Sequence, residues 1–465
     1  MLAVVVVVVA AGLVGATVTD ARDAPGPRSA DAPPRDAAGP GVVGAPVGIA
    51  DSAVDPAVRG DDGSDRADGD RAETGPDTVR VGVIGSAFGA ADAAALDGRI
   101  AARHRVAADG RLDPPAVGRP AGDHDAAVAR VVAERTEDAL LYLATVGAEP
   151  TPGQYERAIR WLVANDVDVI VDAGSYYPRT ADGAARIAAA AEDAADAGAV
   201  VVTSGGNTAR RHWRGGADGP GWLAFDGNGT EGNRLGEGPI SGRVTLRLYW
   251  TGAADYDLYL YRDTPGADDP VVARSARDAG TAEAIDASLP GGDYYVAVYA
   301  RDPGDGDAPV DLFAARHRLA HTAPGGGAHA TPATPGVVSV GAVDADGAVA
   351  DYSPTDTDVR AAGTVRLDDG TTLSGTSAAA PVVAGVAVEM TAAVDDGDLP
   401  PAAVGRLLRA TADDAGVNRD AAVAAAAHRD RLRSVGDRDA AGEDGDDDAD
   451  PRRRSPRARA NVQVR

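Results

Sequence analysis

The chain has 465 residues, 44% of them hydrophobic, which is more than one compact core requires and implies two folded units with tails. Its formal net charge is −26 and it contains no lysine, so phosphate-rich partners are repelled and nucleic-acid binding is not expected. The absence of cysteine excludes disulfides, thiolate catalysis and cysteine-ligated zinc, leaving oxygen or histidine ligands for any metal.

The first element is the uncharged apolar run Leu2 to Val18, followed by Asp20, Arg22 and Asp23. It reads as a secretion signal or an N-terminal membrane anchor within residues 1–18, and places the remainder outside the cell or on its surface. Residues 19–76 are rich in Asp, Pro, Gly and Ala and poor in large apolar groups, so they are expected to form a disordered linker. From Val79 short apolar strands alternate with amphipathic helices, the pattern of an α/β unit with a parallel sheet. Strands are predicted at 80–84, 140–146, 167–171 and 200–203, with helices at 126–134, 154–164 and 184–197. Near Ser241 the texture changes to period-two alternation between Gly and Asp turns, at 243–250, 256–261 and 294–300. This predicts a small β-sandwich inserted over residues 241–316. The α/β pattern resumes with a strand at 336–343 and a long apolar helix at about 377–393. The first unit is therefore discontinuous, spanning 77–240 and 317–427. Residues 428–465 carry an acidic run and then a basic one, with no fold expected. The aspartate-heavy, lysine-free composition suits a high-salt environment, where self-repulsion is screened.

Four segments carry candidate chemistry. Gly375-Thr376-Ser377-Ala378-Ala379-Ala380-Pro381 opens the long apolar helix, so Ser377 sits where the helix dipole favours negative charge. His124-Asp125-Ala126-Ala127-Val128-Ala129 places a histidine on a first helical turn, where an imidazole can exchange a proton near neutrality. Val200 to Asn207 is a strand ending in Ser204-Gly205-Gly206-Asn207, and Asp168 to Ser175 is a strand passing through Asp172 to Gly174 and Ser175. Taken with Asp358-Val359-Arg360-Ala361-Ala362-Gly363, these segments resemble the subtilisin-like serine peptidases of family S8 over about residues 79–424. The resemblance implies a three-layer, mostly parallel α/β fold interrupted by the β-sandwich. It also implies hydrolysis of protein or peptide substrates by a monomer, with Ser377 as nucleophile, His124 as base and Asn207 as oxyanion donor. Gly174 and Ser175, with Ser204, Gly205 and Gly206, would then edge the substrate pocket.

The chain departs from that pattern at Asp125 and Ala127 beside the histidine, at Ala362 where the family has proline, and above all at the end of its first strand. Val81-Gly82-Val83-Ile84-Gly85-Ser86 lies where the family ends a strand with its catalytic aspartate, and the residue here is Gly85. Asp172 is the expected replacement acid. Asp125 and Asp92 are alternatives, the former more naturally read as a first-turn helix charge. The other alternative is a non-catalytic binding or surface protein on the same fold. No cofactor is expected; calcium is the one ion for which oxygen ligands are at hand, from Asp255, Asp257 and Asp293. His317, His321 and His329 lack a nearby acidic ligand and suggest no zinc site.

Overall fold

Short runs rich in valine and isoleucine pair as strands because their branched side chains fit a pleated surface buried on both faces. The computed structural model describes residues 78–88, 96, 98–106, 123–278, 280–304, 309–323, 325, 334–394 and 399–429. The signal or anchor, the 19–76 linker, Asp92, His329 and the tail from 430 onward lie outside the described residues.

Before the insert come β1 (Arg80–Gly85), β2 (Ile100–Arg105), β3 (Leu140–Thr145), β4 (Val169–Asp172) and β5 (Val200–Ser204). The insert holds β6 (His212–Gly215), β7 (Gly221–Trp222), β8 (Asn233–Arg234), β9 (Ile240–Tyr249) and β10 (Asp255–Arg262). It continues through β11 (Val271–Ser275), β12 (Ala282–Gly292), β13 (Tyr294–Asp302) and β14 (Val310–Ala314). After it follow β15 (Val337–Val343), β16 (Val359–Ala362) and the hairpin β17 (Thr364–Arg366) and β18 (Thr372–Ser374). The helices are α1 (Asp123–Arg135), α2 (Pro152–Val163), α3 (Ala181–Asp196), α4 (Thr376–Ala392) and α5 (Pro401–Thr411), with a last helix, α6, at 419–429.

Seven strands form one parallel sheet in the order β16-β15-β5-β4-β1-β3-β2. Alternation along each strand divides the core. Val81, Val83, Val169 and Val171 pack with α1 and α4, whereas Ile84 and Ile170 pack with α2 and α3. This is the predicted three-layer architecture. The order reverses between β1 and β4, so the crevice lies beyond their carboxyl ends, Gly85 and Asp172.

The inserted unit begins earlier than residue 241. Its two antiparallel sheets are β12-β9-β14-β6 and β11-β10-β13-β7, with β8 also on β13. Trp213, Leu223, Phe225 and Leu235 from the earlier stretch share one apolar core with Val244, Leu246, Tyr256, Leu258, Val296 and Leu312. Backbone bonds from Leu319 to Arg210 and from Ala323 to His212 close the unit, so it runs over about 209–323.

Candidate active site

The turn into α4 is built by Gly375. Its φ of 106° is one that side chains rarely adopt, and a Cβ there would stand 2.9 Å from the Asn207 amide nitrogen. Thr376 and Ser377 open the helix, and Ser377 N–H belongs to the first-turn donors that a helix leaves unpaired. Pro381 removes the N–H that would otherwise bind the Ser377 carbonyl. The Ser377 hydroxyl donates to the Ala173 carbonyl at 2.9 Å, just beyond β4.

Asn207 grips this turn. Its Oδ1 accepts from the Thr376 N–H at 3.0 Å and from the Thr376 hydroxyl at 3.2 Å, which turns the amide nitrogen toward Gly375. The Ser204 hydroxyl pairs with that of Thr376 at 2.7 Å and accepts from the Gly206 N–H at 3.2 Å. Ser204, Gly205 and Gly206, expected at the pocket edge, are all buried, and Gly205 N–H donates to the Val340 carbonyl. Ser204 thereby ties the end of β5 to the turn that presents Ser377. Gly174 is half-buried and donates its N–H to Asp172, while Ser175 is exposed above the crevice.

His124 is the second residue of α1, its side chain 50% exposed, and its Nδ1 lies 2.9 Å from Oδ1 of Asp125. The other carboxylate oxygen, Oδ2, accepts from the Ser86 hydroxyl at 2.7 Å and the Ala87 N–H at 2.9 Å, both just past β1. Burial acts to raise the Asp125 pKa. The hydrogen bonds from His124, Ser86 and Ala87 outweigh it and hold the carboxyl below its ordinary range. No hydrogen bond joins His124 to Ser377.

Asp172 does not meet the imidazole, which corrects the replacement-acid expectation. Alternation along β4 sends Val169 and Val171 toward α1 and α4, and therefore Asp172 toward α2 and α3, away from His124. There it is buried, accepting from Gly174 N–H and the Tyr176 hydroxyl, each at 2.9 Å, with Tyr155 alongside. Burial raises its pKa, partly offset by those donors, and the neighbouring Asp125 charge adds to the rise. The folded state thus binds this proton more tightly than the unfolded chain, so Asp172 stabilises most below the ordinary carboxylate range and loses that contribution as pH rises through its folded value. The melting temperature of the wild type relative to Asp172→Asn should accordingly increase as pH falls from about 7 to about 4. A difference that is flat or reversed with pH, in parallel thermal scans, refutes the assignment.

The calcium trio is not assembled either. Asp257 is fully buried against Arg301 at 2.6 Å, and Asp293 faces Arg234 at 3.4 Å. Among the described residues no three His, Asp or Glu side chains converge as metal ligands.

The insert reaches the crevice wall. Arg247 Nε donates to the Tyr177 carbonyl at 2.8 Å, Tyr249 to the Pro178 carbonyl, and Arg277 to the Arg179 carbonyl at 3.3 Å. Nothing in the sequence pattern signalled these contacts, since each is a side chain of one unit on a backbone carbonyl of the other.

Residues 319–429, which carry Ser377, match the profile of the Subtilase family. No curated protein sequence matches the chain. Solved structures to which it is similar include the CspB protease of Clostridium perfringens, at 14% identity and a TM-score of 0.49 over 72% of this chain and 87% of that one. Others are the self-cleaved protease domain of PatA, at 16% identity and 0.39 over 75% and 96%, and the nisin leader peptidase NisP from Lactococcus lactis, at 13% and 0.39 over 75% and 87%. The segment that presents Ser377 is thus similar to the Subtilase family.

Proposed function

We propose that this protein is a serine endopeptidase that hydrolyses protein or peptide substrates through an acyl-enzyme on Ser377. The observation that carries the reading is the Asn207 clamp. By holding the Thr376 N–H and hydroxyl, it turns its own amide nitrogen toward the same helix N-terminus that presents the Ser377 N–H. Two such donors, aided by the helix dipole, suit the oxygen of a tetrahedral intermediate.

In the reaction the Ser377 hydroxyl leaves the Ala173 carbonyl by rotation about its Cα–Cβ bond and gives its proton to His124. Its oxygen attacks the substrate carbonyl, whose oxygen takes up negative charge beside Asn207 and the Ser377 N–H. His124 returns the proton to the departing amine, and water repeats the sequence on the ester. The acidic composition and apolar N-terminal run favour an exported protein working in high salt.

A second reading, a non-catalytic binder, is favoured by one contact: the resting Ser377 hydroxyl is engaged by Ala173, not by the imidazole. Covalent labelling decides between them. A fluorophosphonate probe in molar salt should label the wild type, and Ser377→Ala should abolish labelling while the circular dichroism spectrum is unchanged. Absence of wild-type labelling, or equal labelling of both proteins, overturns the peptidase reading.

A further inference from the structure

We infer that Asp125 is the positioning residue for the base: it fixes the His124 tautomer and balances the imidazolium charge, from the position next to the histidine it serves. The inference rests on the reading of Ser377 and His124 as nucleophile and base.

Adjacent residues on a helix project about 100° apart and do not normally face each other. The 2.9 Å contact between His124 and Asp125 therefore needs another cause. That cause is the loop after β1, where the Ser86 hydroxyl and Ala87 N–H draw Oδ2 inward and leave Oδ1 on the imidazole. Both oxygens are committed, and the residue is only 8% exposed. An acid serving merely as a first-turn helix charge needs neither burial nor a bond to histidine.

The sheet accommodates this arrangement through Gly85. Alternation on β1 points position 85 at α1, and a Cβ there would come within 2.9 Å of both Cβ and Cγ of Asp125, and within 2.8 Å of the Phe88 ring. A side chain at 85 and the Asp125 carboxylate cannot share the space. The carboxylate missing from the end of β1 is present in the same volume, supplied by α1.

The donors also fix what an amide would do. Ala87 N–H can only donate, so in Asp125→Asn the amide oxygen takes the Oδ2 position and the NH2 group faces His124 Nδ1. That nitrogen must then accept, which moves its proton to Nε2 and removes the lone pair that Ser377 needs. Disabling an orienting acid in this way lowers turnover by roughly 10⁴.

The test is an exchange of sites read by fluorophosphonate labelling rates. Asp125→Asn and Asp125→Ala should each label roughly 10⁴ more slowly than wild type. Gly85→Asp alone should also be impaired, by collision. Gly85→Asp combined with Asp125→Gly, which also removes the Cβ that alanine would keep within 2.9 Å of the new side chain, should recover at least about a hundredfold of the loss, a rescue that a purely structural role of Asp125 cannot give. A wild-type labelling rate in Asp125→Asn overturns the inference, as does a folded double variant no faster than Asp125→Ala. If the double variant fails to fold, or the wild type does not label at all, nitrogen-15 shifts of the neutral His124 ring decide it independently of turnover. In a Ser377→Ala background they should report the proton on Nδ1, moving to Nε2 when Asp125→Asn is added. An unchanged tautomer overturns the assignment while leaving the peptidase reading to the labelling of the wild type.

Discussion

Asn207→Asp slows acylation of Ser377 by roughly 10² to 10³ or more, with no loss of folded stability. Asparagine does two things here, and aspartate preserves one of them. A carboxylate oxygen still accepts from the Thr376 N–H and hydroxyl, so the turn at Gly375 keeps its clamp. Its charge at the N-terminus of α4 is favourable to the helix by about 0.3–1 kcal/mol. The amide donor is lost, and a negative oxygen now faces the developing oxyanion. Rate and stability should therefore move in opposite directions. Asn207→Ala, which drops both functions, should lose rate and melt at a lower temperature. Labelling rates and thermal melts on the two variants check this; an Asn207→Asp protein that labels at the wild-type rate removes Asn207 from the chemistry.

The second large effect concerns the insert. A fragment spanning 209–323 should fold alone in high salt and melt cooperatively, whereas 241–316 should not. The shorter fragment lacks β6, β7 and β8, which pair with β14 and β13 and complete both sheets. It also lacks Trp213, Leu223, Phe225 and Leu235, all buried in the shared core. Each such side chain contributes about 1.5–3 kcal/mol on burial, against a typical total of about 5–15 kcal/mol for a domain. The bond from the Trp213 indole to the Phe225 carbonyl goes with them. Circular dichroism on both fragments decides the matter: a cooperative melt of 241–316 overturns the longer boundary.

The fold was legible because its sheet strands are apolar runs and its nucleophile segment has fixed spacing. The predicted strands at 80–84, 140–146 and 200–203 match β1, β3 and β5 to within one or two residues. The early edge of the insert was hidden because β7 and β8 are two-residue strands in a glycine-rich stretch, too short for alternation to register. β2 does not register as a strand in the sequence because IAARHR at the sheet edge carries charge on one face. Asp172 looked attractive for its place at the end of a strand, but a one-residue register decides which face it joins. Asp125 is hard to read from sequence for the opposite reason: its anchors at Ser86 and Ala87 lie 39 and 38 residues away, and local helix geometry argues against pairing with its neighbour. The available signal was that Gly85 and Asp125 are both departures from the family pattern. Two departures that touch in space compensate each other.

The closure of the insert also bears on how the chain assembles. β5 and β15 are neighbours in the sheet, yet the whole insert lies between them in sequence. In an unfolded chain, bringing them together closes a long loop whose entropy cost grows with its length. Arg211 and Ala314 are joined by a backbone bond at 2.8 Å, so once the insert has folded its two ends leave side by side. Most of the residues between β5 and β15 then drop out of the open loop, and each halving recovers about 0.6 kcal/mol. An insert that folds first would thereby act as a clasp, turning the most distant strand pairing of the described sheet into a nearly local one.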